Sequence, residues 1–247
     1  MSDAAHHVYR VLPQPPLIWD LATETDREAI RSHYSPPGEE SVRAIMVTDS
    51  GGRTQGPSGT SEGISRGVDR ALLALLREMS DVVVVGATTV RREPVPLPRS
   101  TPLVVLSRTG NFDSHQLRSR GFPDERLIVV VPPEHQQRAS AGLGDIAHEL
   151  LPLNLRSPRA VLDGICSLTA ARHVLVEGGR ATWEFFAPET HELLVSSTPP
   201  PREAGGGIPP WWPTLSEPWS LAGLLTDDAK MLYYRYQRDL GGAPSAP

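Results

Sequence analysis

Four consecutive valines at positions 82–85, followed directly by Gly86, constrain the fold of this chain more than any other feature. A strand whose side chains are all apolar must be covered on both faces, which is typical of the centre of a parallel sheet. Further short apolar runs lie at 42–47, 103–106, 127–131 and 173–176. Candidate helices lie between these runs, so the order of elements predicts an α/β fold with helices on both faces of the sheet.

The predicted helices follow the spacing of apolar residues and the usual boundary residues. We expect helices over 25–34, up to about residue 79, near 134–143, near 160–170 and through Phe186. Thr25 followed by Glu28 fits a capping box at the start of the first helix. The second helix carries one apolar face, which is made of Val68, Leu72, Leu75, Leu76 and Met79.

The end of the chain predicts antiparallel pairing. Residues 192–197 read as a strand, and 219–225 with 231–237 read as a hairpin, so the sheet is expected to be mostly parallel with an antiparallel C-terminal edge. We divide the chain into an N-terminal arm and helix (1–40), one domain (41–238) and a disordered tail (239–247). The arm is inferred from Pro13, Pro15 and Pro16.

Composition excludes several classes of protein. The 247 residues carry 24 basic and 29 acidic side chains, a formal net charge of −5, which argues against a nucleic-acid binder. Cys166 is the single cysteine, so neither an intramolecular disulfide nor a thiolate metal cluster can form within one chain. No apolar run approaches the roughly 20 residues of a membrane span. We therefore expect a cytoplasmic protein without a metal site or a membrane partner.

Two predicted strand ends carry residues that suit a phosphorylated ligand. Gly86 lets the backbone approach a ligand, and Thr89 can bind phosphate oxygens or simply cap the next turn. Ser107 and Arg108 follow the strand at 103–106, where a hydroxyl and a guanidinium suit a phosphate monoester, although a solvated loop arginine is the alternative. In open α/β sheets, ligands lie beyond the carboxyl ends of the strands.

A third strand end has the sequence Glu177-Gly178-Gly179-Arg180. Two glycines allow close passage of a ligand, and a helix that begins there would offer free N–H groups to a pyrophosphate. Each of the three turns is weak evidence alone, but together they predict a phosphate-rich ligand lying across the sheet.

Asp49 closes the first central strand and opens a long glycine-rich loop that runs to about residue 67. A carboxylate at a strand end can orient or protonate a substrate, but more often it starts a turn. A loop of this length favours a functional role for the segment.

Taken in order, these residues resemble the reductase domain at the C-terminal end of the bifunctional riboflavin-biosynthesis deaminase/reductase. The resemblance covers residues 42–237 and implies a three-layer, dihydrofolate-reductase-like fold. It is carried by Asp69-Arg70, Leu75-Leu76-Arg77-Glu78, the segment 81–86, Thr89-Val90-Arg91, the L-x-E-G-G signature at 175–179 and the final hairpin from Leu225 to Tyr236.

The resemblance implies NADPH as the hydride donor and a phosphoribosylaminopyrimidine as the substrate. Gly86 and Thr89 would hold phosphates, Ser107 and Arg108 the adenosine 2′-phosphate, and Gly178 and Gly179 the pyrophosphate, with Glu177 and Arg180 beside them. The substrate would meet Asp49 as the catalytic residue and, around it, Ser58, Arg91 and Arg92. The resemblance also implies a homodimer.

The substrate half departs from the family pattern. The family's S-L-D-G motif reads Val47-Thr48-Asp49-Ser50 here, which keeps the aspartate but loses the adjacent glycine. Two alternatives therefore stay open. The chain could reduce dihydrofolate or another heterocycle, or it could be a dimer that binds NADPH without catalysis.

Overall fold

The computed structural model describes residues 6–56, 59–199 and 219–238. The strands are β1 (His7–Leu12), β2 (Leu17–Asp20), β3 (Ser41–Thr48), β4 (Val82–Gly86), β5 (Val95–Pro96), β6 (Leu103–Leu106), β7 (Leu117–Arg118), β8 (Leu127–Val131), β9 (Glu149–Pro152), β10 (His173–Glu177), β11 (Glu192–Ser197), β12 (Trp219–Asp227) and β13 (Leu232–Arg238). The α-helices are α1 (Glu24–His33), α2 (Val68–Glu78), α3 (Ala87–Arg92), α4 (Gln136–Leu143), α5 (Pro158–Thr169) and α6 (Arg180–Phe186).

One sheet of eleven strands organises the described residues, in the order β2-β1-β12-β13-β11-β3-β10-β4-β6-β8-β9. The segment from β11 to β9 is parallel throughout, whereas the segment from β2 to β11 is antiparallel. The predicted α/β fold, with a mostly parallel sheet and an antiparallel C-terminal hairpin, is confirmed.

The sheet has a separate apolar core on each face, which makes three layers. Alternate residues of β4 show this division, because Val83 and Val85 pack in one core and Val82 and Val84 in the other. Helices α1, α2 and α4 contribute to the first core, and α5 and α6 to the second. All four valines are at most 2% exposed, as expected for a strand covered on both sides.

The N-terminal arm and the sheet edge differ from the prediction. Residues of the supposed arm form the hairpin β1–β2, and β1 pairs with β12, so β2 rather than the C-terminal hairpin is the antiparallel edge. The prolines between the two strands mark a turn instead of an unpaired arm. At the other edge, β9 is a strand that the sequence did not predict, because Glu149–Pro152 is short and only half apolar.

Two predicted helix caps are also wrong. Thr23, not Thr25, caps α1, since its side chain accepts a hydrogen bond from the amide of Asp26. Gly86 precedes α3 as its cap residue, and Thr89 lies inside that helix. No helix among the described residues is long and apolar enough to cross a membrane. The predicted tail at 239–247 and most of the proline-rich stretch at 199–213 lie outside the described residues.

Candidate active site

The parallel register brings the three ligand-binding turns predicted from the sequence to one edge of the sheet. Strand β10 lies between β3 and β4, and β4 pairs with β6, so the carboxyl ends of all four strands are adjacent. Gly86 pairs with Leu106, which places Ser107 beside the start of α3. Gly178 follows β10 at the same edge.

A cavity of about 630 Å³ opens at this edge. The predicted cofactor and substrate residues that line it are Gly86, Thr89, Arg91, Arg92, Ser107, Arg108, Glu177, Gly178, Gly179 and Arg180. Its apolar wall includes Ile45, Val47, Leu73, Leu106 and Phe185. The arrangement combines arginines, glycine turns and an apolar wall, which is the usual composition of a cofactor site.

Gly86 and Gly178, which follow two neighbouring strands, both pack against Thr182 of α6. A Cβ at position 86 would lie 2.9 Å from Thr182 Oγ1, and a Cβ at position 178 would lie 3.1 Å from the same atom. Gly178 also has a φ of +147°, which a side chain would strain. Both positions therefore need glycine for packing against Thr182, and both glycines line the cavity.

Ser107 and Arg108 present unused polar groups. Ser107 is 2% exposed, and its hydroxyl has no hydrogen-bond partner in residues 6–56, 59–199 and 219–238. The Arg108 guanidinium lies 5.9 Å from the centre of the Phe185 ring, and among the described residues no carboxylate pairs with it. A buried hydroxyl without a partner is unusual in a folded protein and indicates room for a ligand atom.

The other arginines of the cavity already have partners. Arg77 donates from Nε and Nη2 to the two carboxylate oxygens of Glu177, over 2.6 and 2.5 Å. Arg180 pairs with Glu184 one helical turn further on, at 2.5 Å. Glu177 and Arg180 thus line the cavity, but their charges are engaged with other side chains.

Arg91 and Arg92 are held by the surrounding loops. Arg91 donates to the carbonyl of Asn111 over 2.8 Å, and Arg92 donates to the side chain of Gln55 over 3.3 Å. The second contact joins α3 to the loop that follows β3. Both guanidinium groups keep donors that a substrate can use, since each carries five N–H bonds.

Glu93 anchors the long loop that follows β3. Its carboxylate accepts hydrogen bonds from the amide and the hydroxyl of Ser61, over 2.7 and 2.8 Å. This contact places Gln55 and Ser61 on the cavity wall. The sequence did not single out Glu93, because its partner lies 32 residues earlier in an irregular loop.

Asp49, the predicted catalytic residue, does not line the cavity. Its carboxylate accepts from the amides of Gly51 and Arg53 and from the Arg53 guanidinium, which is 2.7 Å away. Although burial opposes ionisation, these donors together hold the pKa of Asp49 below its usual value. This is the geometry of a turn, so a catalytic role for Asp49 stays a prediction. Ser58 lies outside the described residues.

Asp69 of α2 is a cavity residue that the sequence did not identify as functional. It is 5% exposed and lines the cavity with Ser65 and Ser196. Burial raises its pKa, and the nearby charge of Asp227 acts in the same direction. The available signal was a carboxylate on the apolar face of an amphipathic helix, directly after Val68.

Solved structures share this architecture. A pyrimidine reductase-like protein from Corynebacterium diphtheriae matches with a TM-score of 0.63 and 21% identity, over 85% of this chain and 94% of that chain. The chain has the pyrimidine-reductase fold. The resemblance noted from the sequence is thus confirmed at the level of the fold.

Two further structures with the pyrimidine-reductase fold are similar. The diaminohydroxyphosphoribosylaminopyrimidine deaminase/5-amino-6-(5-phosphoribosylamino)uracil reductase of Thermotoga maritima matches with a TM-score of 0.60 and 17% identity, over 81% of this chain and 57% of that chain. The riboflavin biosynthesis reductase Rib7 of Saccharomyces cerevisiae matches with a TM-score of 0.56 and 13% identity, over 87% of this chain and 100% of that chain. No protein-family model and no curated protein sequence matches the chain.

Proposed function

We propose that the protein is a cytoplasmic, homodimeric reductase that uses NADPH to reduce an aminopyrimidine of the riboflavin-biosynthesis type, such as 5-amino-6-(5-phosphoribosylamino)uracil. One observation carries the proposal. Gly86, Ser107 with Arg108, and Gly178 with Gly179 converge on one cavity at the carboxyl edge of a sheet with the pyrimidine-reductase fold. Each of these groups suits a phosphorylated ligand. Because all three line the same cavity, one phosphorylated ligand bound there explains the presence of all three.

The residues present fit NADPH. Within the part of the chain that the structure describes, the buried hydroxyl of Ser107 has no partner and Arg108 has no carboxylate, so both can bind the 2′-phosphate that separates NADPH from NADH. Gly86 and Gly178 line the cavity, where their backbone can contact a pyrophosphate. When bound, NADPH supplies a hydride to the substrate.

The protein's own part in the reaction is to orient the substrate and exclude water. The apolar wall shields the reacting carbon, and Arg91 and Arg92 offer donors to a substrate phosphate. Arg77 and Glu177 hold α2 against β10, which keeps the two sides of the cavity at a fixed separation. Asp49 would reach a substrate only if its turn with Arg53 opened.

Titration with NADPH and NADH tests the cofactor. We expect saturable binding of NADPH and weaker binding of NADH, and absence of binding to either nucleotide would overturn the proposal. An absorbance assay of NADPH oxidation with 5-amino-6-(5-phosphoribosylamino)uracil and with dihydrofolate then tests the substrate. Turnover of dihydrofolate alone would replace the riboflavin-type substrate, and analytical ultracentrifugation tests the homodimer.

One observation favours a second function. The Asp49 carboxylate is engaged by three donors within its own loop, which would suit a protein that binds NADPH in a dimer without catalysis. Binding of NADPH without oxidation across the substrate panel would support this alternative. Robust turnover by the wild-type protein would exclude it.

A further inference from the structure

Glu93 lies on the cavity wall between α3 and β5, and its backbone is fixed on both sides. Its amide donates to the carbonyl of Thr89 over 2.9 Å. Two residues later, the amide of Val95 donates to the carbonyl of Gln116 over 3.1 Å, where β5 meets β7. Pro94 disfavours helical backbone at the residue before it, so α3 ends at Glu93 in an extended conformation. Glu93 is therefore a rigid attachment point on one side of the cavity.

The Glu93 carboxylate holds the start of a short turn in the loop that follows β3. Its two oxygens accept from the amide and the hydroxyl of Ser61, over 2.7 and 2.8 Å. Hydrogen bonds to a carboxylate are roughly twice as strong as those between neutral groups. The Ser61 carbonyl in turn accepts from the amides of Ile64 and Ser65, both over 2.9 Å. Glu93 thus fixes a whole turn of the loop rather than one side chain.

A backbone hydrogen bond within the loop couples the position of Ser61 to that of Gln55. The Gly56 amide donates to the Thr60 carbonyl over 2.8 Å. The residues next to Gln55 and Ser61 are therefore bonded to each other. Gln55 also contacts α3 directly, since its side-chain oxygen accepts from Arg92 Nη1 over 3.3 Å. The loop is thus attached at two points to consecutive residues at the end of α3.

The contact with Arg92 determines which polar group Gln55 has left for a ligand. An arginine side chain donates hydrogen bonds and accepts none, so Gln55 must turn its oxygen towards Arg92. The amide NH₂ group of Gln55, which carries two donors, is not used in this contact. Because Gln55 lines the cavity, these donors suit a ligand group with oxygen acceptors, such as a carbonyl or a hydroxyl.

We propose that Glu93 is a positioning residue for the substrate, which holds the loop so that the Gln55 amide donates to an oxygen of the substrate. This rests on the proposed function, since the substrate concerned is that of the reductase. The residues proposed to bind NADPH come from the ends of β4, β6 and β10 and not from this loop. Loss of Glu93 should therefore weaken substrate binding and leave the affinity for NADPH unchanged.

Steady-state kinetics with NADPH and 5-amino-6-(5-phosphoribosylamino)uracil test the inference. In Glu93→Ala, KM for the pyrimidine should rise about tenfold, in line with the strength of hydrogen bonds to charged groups. The value of kcat should stay within about threefold of the wild type, because losing a contact shared by ground and transition states raises KM alone. Glu93→Gln keeps an acceptor for the Ser61 amide and should restore most of the affinity.

A double variant tests whether Glu93 acts through Gln55. Gln55→Ala should raise KM by about as much as Glu93→Ala does. Glu93→Ala/Gln55→Ala should raise it no further, because both changes remove the same contact with the substrate and their effects are then not additive. If Glu93→Ala does not fold, Ser61→Ala replaces it, with a smaller rise in KM because only the hydroxyl contact is lost.

Glu125→Ala is the matched control. The Glu125 carboxylate also accepts from a serine hydroxyl and a backbone amide, those of Ser119 and Arg120, over 2.6 and 2.8 Å. These residues do not line the cavity, so the kinetic constants of Glu125→Ala should match those of the wild type.

Hydrogen–deuterium exchange tests the attachment of the loop without any substrate. The amide of Ser61 is bonded to Glu93, so residues 59–65 should exchange faster in Glu93→Ala than in the wild type or in Glu125→Ala.

Three results would overturn the inference: an unchanged KM in folded Glu93→Ala, additive rises in the double variant, or unchanged exchange of residues 59–65. Absence of turnover by the wild-type protein is a different result, which would overturn the proposed function and this inference together.

Discussion

Arg77 and Glu177 are joined by two parallel hydrogen bonds, of 2.6 and 2.5 Å, across the junction of α2 and β10. The two residues lie 100 positions apart in the sequence. This pair fixes the helix that carries Asp69 against the strand that leads to Gly178. The geometry of the cavity therefore depends on a contact between its two halves.

Replacing Arg77 by Met should destabilise the protein by about 2 kcal/mol, because the Glu177 carboxylate, which is 10% exposed, loses its charged partner. Urea denaturation measures the free energy of unfolding. The control is Arg159→Met, whose ion pair with Asp163 is exposed and should contribute less than about 0.5 kcal/mol. If the double variant Arg77→Met/Glu177→Gln is no more stable than Arg77→Met alone, the loss does not come from the unpaired charge.

Replacing Arg108 by Ala should weaken NADPH binding by about 10- to 100-fold and leave NADH binding almost unchanged. The reason is that the guanidinium has no carboxylate partner among the described residues and belongs to the residue that follows Ser107, whose hydroxyl is unpartnered among the same residues. Fluorescence titration with both nucleotides measures the ratio of affinities. Arg159→Ala, at an exposed position on α5, is the matched control. An equal loss for both nucleotides would contradict a role in reading the 2′-phosphate.

Gly86→Ala should lower stability by about 1–2 kcal/mol, since the new Cβ lies 2.9 Å from Thr182 Oγ1. Adding Thr182→Ala should recover most of the loss. Thermal denaturation of the two single variants and the double variant measures this, and a double variant no better than Gly86→Ala would rule out the steric explanation.

His33 should make the protein less stable in mild acid. Burial, assisted by Arg235 and Arg10, lowers its pKa from 6.5 to about 4. The unfolded chain therefore binds a proton between pH 6.5 and 4 that the folded protein does not, and the stability present above this window falls as the pH decreases. The expected loss between pH 7 and pH 5 is about 2 kcal/mol.

Urea denaturation at the two pH values measures the effect of His33. The His33→Gln variant should show a pH dependence smaller by about the same amount. An unchanged dependence in this variant would assign the acid sensitivity to other groups, such as His191, whose pKa is also lowered by burial.

The central strands could be predicted because burial on both faces leaves an unmistakable sequence, as in Val82–Gly86 and Leu127–Val131. The edge strands β1 and β9 were harder to predict from the sequence, since each alternates between exposed and more buried residues within a few positions. The convergence of the turns at Gly86, Ser107 and Gly178 could be predicted for a related reason. Parallel strands carry their carboxyl ends to one edge, so local turns become neighbours without any long-range information.

Contacts between distant side chains could not be predicted. Nothing near Glu177 in the sequence indicates that its carboxylate pairs with Arg77. Likewise, nothing near Asp49 distinguishes a catalytic carboxylate from one that closes a turn with Arg53. Asp69 is the converse case. Its position on an apolar face gives a signal, but its serine partners come from the preceding loop and from β11.

The hairpin β1–β2 also has a consequence for how the chain is made. The Tyr9 hydroxyl donates to Asp228, 219 residues later, and among the described strands only β12 connects the β1–β2 hairpin to the rest of the sheet. During synthesis on the ribosome, the first two strands must therefore wait until β12 has emerged, while the parallel strands from β4 to β9 can already assemble.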